Sequence, residues 1–212
     1  MSEDFNGGIN AQPPRTPSPP PSTLLSQPRL YPDTVGTLIE IRAVEGKGLG
    51  VFALVDIPPM TVLLCESPLI ILQDTGTRID PLDVSVAALS PVDHASLLSL
   101  SHYSRNPNET LARSIVYSNG YSIKDDLATG LFETASRINH SCVPNTSYVW
   151  KKSIGRIVFW NRFKLLEGEE VCVDYGHKPT WLKKFYGFDC ACGGCTDVGS
   201  DTRSSSSGSE DR

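Results

Sequence analysis

Three cysteines crowd into the last part of the chain, in the run Phe188-Asp189-Cys190-Ala191-Cys192-Gly193-Gly194-Cys195. This C-x-C-x2-C spacing constrains folding more than any other feature. The six cysteines of the chain would suit disulfides in a secreted protein, but residues 1–22 show no basic patch followed by an apolar stretch, so a reducing compartment and metal binding are the better expectation. A structural zinc site takes four tetrahedral ligands, commonly thiolates at about 2.3 Å, and three local cysteines leave one place to be filled from elsewhere. The C-terminal segment is therefore expected to be tied to a distant part of the chain, with folding and metal binding coupled.

The two ends are expected to contribute little to a core. Residues 1–30, centred on PPRTPSPPPS, are rich in Pro and Ser, and residues 197–212 are similarly polar, so both are read as disordered. The net charge is −5. The arm is neutral and the tail carries −2, which leaves −3 for the middle, a poor balance for phosphate binding and an easier one for basic protein partners. Nothing approaches the ~20 apolar residues of a membrane span. We expect a soluble, intracellular monomer, in the nucleus and/or the cytoplasm, with no direct contact to nucleic acid or membrane.

Between the ends, Thr37 to Arg42 and Thr61 to Leu72 read as strands, separated by the Gly-rich GKGLG and by Pro58-Pro59. Ser90-Pro91 with Asp93 reads as a helix start, followed by Leu97, Leu98 and Leu100 on an apolar face. A second helix is expected after Asn108, with Leu111, Ile115 and Val116 at helical spacing. From Asn145 the pattern turns β again: Thr146, Tyr148 and Trp150 alternate, residues 151–155 form a turn, Ile157 and Phe159 lead back, and E-G-E-E-V-C-V-D-Y makes a turn followed by another short strand. The pattern predicts a mainly β fold with a helical insertion, an α+β arrangement without βαβ alternation.

Three motifs stand in order: R-I-N-H-S-C-V-P-N (Arg137 to Asn145), G-E-E-V-C-V-D-Y-G (Gly168 to Gly176) and F-D-C-A-C-G-G-C (Phe188 to Cys195). Singly, Asn139 and His140 could be satisfied polar residues at a turn, and Tyr175 a core aromatic. Together they resemble the SET-domain family of protein lysine methyltransferases over roughly Thr37 to Cys195. The likeness is greatest to SMYD-like and fungal SET proteins, since Ser118 to Ile123 (S-N-G-Y-S-I) resembles the segment these place before N-H-S-C. The insertion holds no cysteine, so a MYND-type finger is absent from it.

The resemblance implies a β-clip of short strands over residues 31–180, a helical insert at about 75–130, and a post-SET zinc segment at 181–196. It implies S-adenosylmethionine as cofactor, held by Lys47, Gly48, Leu49, Asn119, Asn139, His140, Tyr175 and Phe188. It also names Cys142 as the fourth zinc ligand beside Cys190, Cys192 and Cys195, while Cys65 and Cys172, in apolar runs, are expected in the core. Tyr175 would be catalytic, and Tyr121 and Val173 would line the substrate channel. Val173 occupies a place where several SET enzymes carry Phe or Tyr, which suggests a roomier channel permissive for di- or trimethylation.

The implied activity is N-methylation of lysine on histones or other proteins. Free lysine, with a pKa of ~10.4, is neutral in about one molecule in 2,500 near pH 7, so an apolar channel must favour the amine. The Tyr175 hydroxyl is expected to orient it rather than act as a tyrosinate base. The alternative is a catalytically silent SET module acting as a zinc-stabilised scaffold. A zinc hydrolase would need an open coordination position, and a zinc-finger nucleic-acid binder a basic helix.

Overall fold

A hairpin begins the ordered path: β1 (Ile39–Val44) and β2 (Gly48–Ala53) pair antiparallel, with Ile39 opposite Ala53 and Val44 opposite Gly48. The computed structural model describes residues 33–73, 81–123 and 128–195. The arm and tail expected to be disordered lie outside them. The glycine-rich stretch expected as a turn is mostly strand, and the turn itself occupies residues 45–47. At Gly50 a Cβ would come to 2.9 Å from Asn139 Nδ2, Glu170 Oε1 and Val44 Cγ2. Glycine is used there for close approach.

The expected strand from Thr61 to Leu72 is two strands, β3 (Val62–Glu66) and β4 (Ile70–Gln73), in different sheets. Pro68, which lacks an N–H for a ladder, separates them. The insertion follows as α1 (Pro81–Ala87), α2 (Pro91–Leu98) and α3 (Leu111–Asn119). Helix α2 starts as predicted, with the Ser90 hydroxyl accepting from the Asp93 N–H at 3.2 Å. Thr110 caps α3 in the same way through Arg113 N–H. Leu97 and Leu100 are buried, whereas Leu98 is exposed, because one step of 100° turns it off the apolar face. A small core of Ile70, Leu82, Leu97, Ile115, Val116 and Leu131 joins these helices to β4.

The remaining elements are β5 (Tyr121–Ile123), β6 (Ala128–Leu131), a 3-10 turn (Ala135–Arg137), β7 (Asn139–His140), β8 (Thr146–Lys151), β9 (Arg156–Asn161), β10 (Glu170–Val173) and α4 (Pro179–Tyr186). Among the described residues the strands form three sheets ordered β1-β2-β10-β7, β3-β9-β8 and β4-β6-β5. The fold is thus mainly β with a helical insert, as the sequence predicts. The larger core lies among the sheets, around Val51, Leu63, Phe132, Ile138, Phe159 and Val171. One pairing matters most for function: β7 runs parallel to β10, with Asn139 beside Cys172 and His140 beside Val173. Two motifs about thirty residues apart are thereby set side by side. Among the described residues no helix is long and apolar enough to cross a membrane.

Candidate active site

Immediately after β10 the chain leaves the sheet at Asp174-Tyr175, still against the end of β7. The Tyr175 N–H donates to His140 Nδ1 at 3.2 Å, and its hydroxyl donates to the Ile138 carbonyl at 2.9 Å. The ring packs between His140 and Tyr186, at centroid distances of 5.2 and 4.9 Å. Burial, reinforced by Tyr186, raises the phenol well above its ordinary value, so it stays protonated at neutral pH. Because His140 Nδ1 accepts, its proton sits on Nε2, which lies 3.2 Å from Cys142 Sγ. Burial lowers the imidazole, which favours this neutral form.

Asn139 is anchored separately. Its Nδ2 donates to Glu170 Oε1 at 2.7 Å and to the Leu49 carbonyl at 3.2 Å, while Lys47 pairs with the other Glu170 oxygen at 3.2 Å. Glu170 therefore clamps the β1–β2 turn to β7, a role the sequence did not single out.

Two cavities open on these residues. The larger, about 490 Å³, is lined by Lys47, Leu49, Asn119, Asn139, His140 and Tyr175, and by the consecutive residues 187–192, Phe188 among them. Gly48 is not among its lining residues, although both of its neighbours are. The smaller, about 210 Å³, presents four tyrosines, Tyr121, Tyr148, Tyr175 and Tyr186, with Asp174 and His177. Ser118, Asn119, Ser136, Tyr175 and Tyr186 line both, so the two spaces meet at Tyr175. Tyr121 donates its hydroxyl to the Ala135 carbonyl at 2.8 Å. Val173 lies elsewhere: it is 1% exposed, packs in the core and lines neither cavity. Strand alternation turns it away from Asp174, and β10 ends at Val173, so Tyr175 is placed by the chain beyond the sheet and the smaller cavity is lined by tyrosines instead.

The cysteines complete the arrangement. Cys142, Cys190, Cys192 and Cys195 bring their sulfurs within 4.8 Å of one another, with Cys142 Sγ 3.7 Å from Cys190 and 3.3 Å from Cys195. Four sulfurs at 2.3 Å around a tetrahedral ion would be about 3.8 Å apart, so the donor set fits a thiolate-bound metal. Gly194 permits the turn, since a Cβ there would collide with Val143. Cys65 is buried in β3, and Cys172 stands in β10, both outside the group. Cys190 and Cys192 also line the larger cavity. Metal site and cavity share a wall.

The family profile for the SET domain matches residues 48–176, more than half of the chain. The chain belongs to the SET-domain family. The SET match ends at Gly176, so α4 and the cysteine segment that close the larger cavity lie beyond it. Among curated relatives, "Histone-lysine N-methyltransferase set5" of Schizosaccharomyces pombe is 25% identical over 75% of this chain and 50% of its own length. "Protein-lysine N-methyltransferase SMYD4" of Homo sapiens is 38% identical over 32% of this chain and 10% of its own. The chain thus spans about half the length of the first of these relatives and a tenth of the second. A solved structure, the SET domain of LSMT bound to lysine and AdoHcy, superposes with a TM-score of 0.50 at 15% identity, covering 74% of this chain and 54% of the other, and shows the shared SET fold.

Sequence reasoning missed Tyr148, Tyr186, His177 and Ser136 as lining residues of this SET site. For Tyr186 a signal existed. Pro179 at the first position of α4 and Gly187, at φ 80° just past its end, mark a short helix that delivers Tyr186 and Phe188 to the cavity. Tyr148 and Ser136 carried no such mark, since their placement depends on which strands pair.

Proposed function

We propose that this chain is an S-adenosylmethionine-dependent protein lysine N-methyltransferase. The observation that carries the reading is the meeting of two cavities at Tyr175, one large enough for a nucleoside-bearing cofactor and one narrow and tyrosine-lined. The SET relatives named as lysine methyltransferases support it. When bound in the larger cavity, the cofactor supplies an electrophilic methyl group on a sulfonium. Lys47 and Leu49, with Asn119, Asn139, His140 and Phe188, would hold it there, and the smaller cavity would admit the lysine side chain.

The protein's contribution to catalysis is desolvation and alignment. Four tyrosine rings exclude water from the amine and disfavour its ammonium form, which at an ordinary pKa of ~10.4 would cost roughly 4.6 kcal/mol to deprotonate at pH 7. The Tyr175 hydroxyl, its proton committed to the Ile138 carbonyl, keeps oxygen lone pairs for the amine N–H and for C–H groups of the methyl in transit. Such orientation is a main source of rate in a displacement without covalent catalysis. The net negative charge suits a basic substrate, histone or otherwise. The four thiolates would hold one structural zinc with no open position, fixing the wall formed by residues 190–192.

The test is incubation of the purified protein and its Tyr175→Phe variant with methyl-labelled S-adenosylmethionine and either core histones or a cell extract. Label on a discrete lysine with the wild type alone supports the reading. Cofactor binding without transfer to any fraction would replace it with the scaffold reading.

A further inference from the structure

Glu66 ends β3 with none of its surface exposed. A carboxyl in a core is tolerated when its oxygens are satisfied. Here three consecutive backbone N–H groups satisfy it: Oε1 accepts from Glu133 and Thr134, both at 2.9 Å, and Oε2 from Ala135 at 2.8 Å. These groups lead into the 3-10 turn. Thr134, which stands at the cap position, makes no side-chain capping bond, so Glu66 caps the turn from a different sheet.

The turn in turn carries the acceptors of both phenols named above. The Ala135 carbonyl receives the Tyr121 hydroxyl and the Ile138 carbonyl receives the Tyr175 hydroxyl. Between them, the Ser136 hydroxyl donates to the Asn119 carbonyl at 3.1 Å and lines both cavities. Glu66 itself lines neither.

Resting on the methyltransferase reading, we propose that Glu66 is a positioning residue for methyl transfer. By pinning the entry of the 135–138 turn it aims the Tyr121 and Tyr175 hydroxyls, and thereby sets both the rate and the number of methyl groups the smaller cavity accepts. The residue type follows from the geometry. Three donors converge on two acceptor oxygens; glutamine would set its NH2 against one N–H, and aspartate is one methylene too short.

The experiment uses the full chain, core histones and labelled S-adenosylmethionine, with wild type, Glu66→Gln, Glu66→Asp, Tyr175→Phe and the Glu66→Gln/Tyr175→Phe pair. Rates are expressed per folded molecule, counted by S-adenosylhomocysteine titration. Both Glu66 variants are expected to lose kcat by about 10-fold or more, with the mono-, di- and trimethyl distribution shifted. S-adenosylhomocysteine affinity stays within about 3-fold, because Asn139 is held independently by Glu170 and Leu49. In the pair, Tyr175→Phe costs far less than in the wild type. Wild-type rate and methyl distribution in both Glu66 variants would overturn the proposal. NMR provides an arm that needs no turnover: hydroxyl-proton exchange at Tyr121 and Tyr175, and amide exchange at Glu133 to Ala135, should accelerate in Glu66→Gln. If the wild type methylates no histone, that arm decides alone. Unchanged exchange overturns the positioning role, whereas accelerated exchange keeps it and leaves the histone-methylating reading to fall separately.

Discussion

At Tyr175 the backbone and the side chain are fixed by different partners, His140 through the N–H and Ile138 through the hydroxyl. Replacing Tyr175 by Phe leaves the first bond and removes the second. The expected result is a fall in kcat on the order of 100-fold with cofactor affinity nearly unchanged, measured by single-turnover transfer and calorimetry. Val173 gives the opposite expectation. Since it packs in the core, Val173→Ala should destabilise by roughly 1–3 kcal/mol in urea unfolding and leave the degree of methylation as it was, whereas Tyr121→Phe or Tyr186→Phe should shift that degree by mass spectrometry. Glu66 offers a test by pH. Burial, opposed by three N–H donors, pushes its carboxyl up to about 7. A folded pKa raised above the ordinary 4.5 gives a contribution that is complete below that value and lost as pH rises through about 7, roughly 3 kcal/mol in all. Stability measured against Glu66→Gln across this window should show that slope in the wild type alone. Much of the larger cavity was legible in the sequence because its contacts lie in short motifs. Of the tyrosines of the smaller one, Tyr121 and Tyr175 were legible from their motifs, whereas Tyr148 reaches it through strand pairing that no local pattern records.

Among the elements, helix α2 could be read to the residue because its start is a local matter: a capping hydroxyl, a proline and an acidic first turn. Ser90→Ala should cost about 1 kcal/mol in denaturant unfolding while leaving cofactor affinity intact, as Ser90 lines neither cavity. Strand β2 was harder. Its glycines carry a turn signature, and they stand in a strand because Asn139 and Glu170 must close over Gly50, a demand set by residues far along the chain. Likewise the division of β3 from β4 was marked by Pro68, but the assignment of the two strands to separate sheets was not. Helix α4 shows the converse: the signals were present and short, with Pro179 and Gly187 bracketing a segment whose only fully buried side chain is Leu182. Trp181, Leu182, Phe185 and Tyr186 do recur at helical spacing, but eight residues are a short window for periodicity.

For the molecule as a whole, the metal site and the larger cavity should titrate together. Cys190 and Cys192 line the cavity while Cys195 does not, yet all three meet Cys142. Chelation, or Cys195→Ser, should therefore weaken cofactor binding by about 10-fold or more, with metal content followed by elemental analysis. A Cys195→Ser protein that keeps its affinity would separate the two. The overall architecture was legible because strand runs, turn residues and three ordered motifs agreed; the meeting of the two cavities was not, because it depends on β7 lying parallel to β10. The same arrangement bears on how the protein is made. Every residue from Gly187 to Cys195 leaves the ribosome after all three sheets have emerged, so a nascent chain can complete its β-framework while the nucleoside-sized cavity still lacks a wall. On the methyltransferase reading, competence to hold the cofactor then follows the β-framework rather than accompanying it, and comes when the last thiol reaches Cys142.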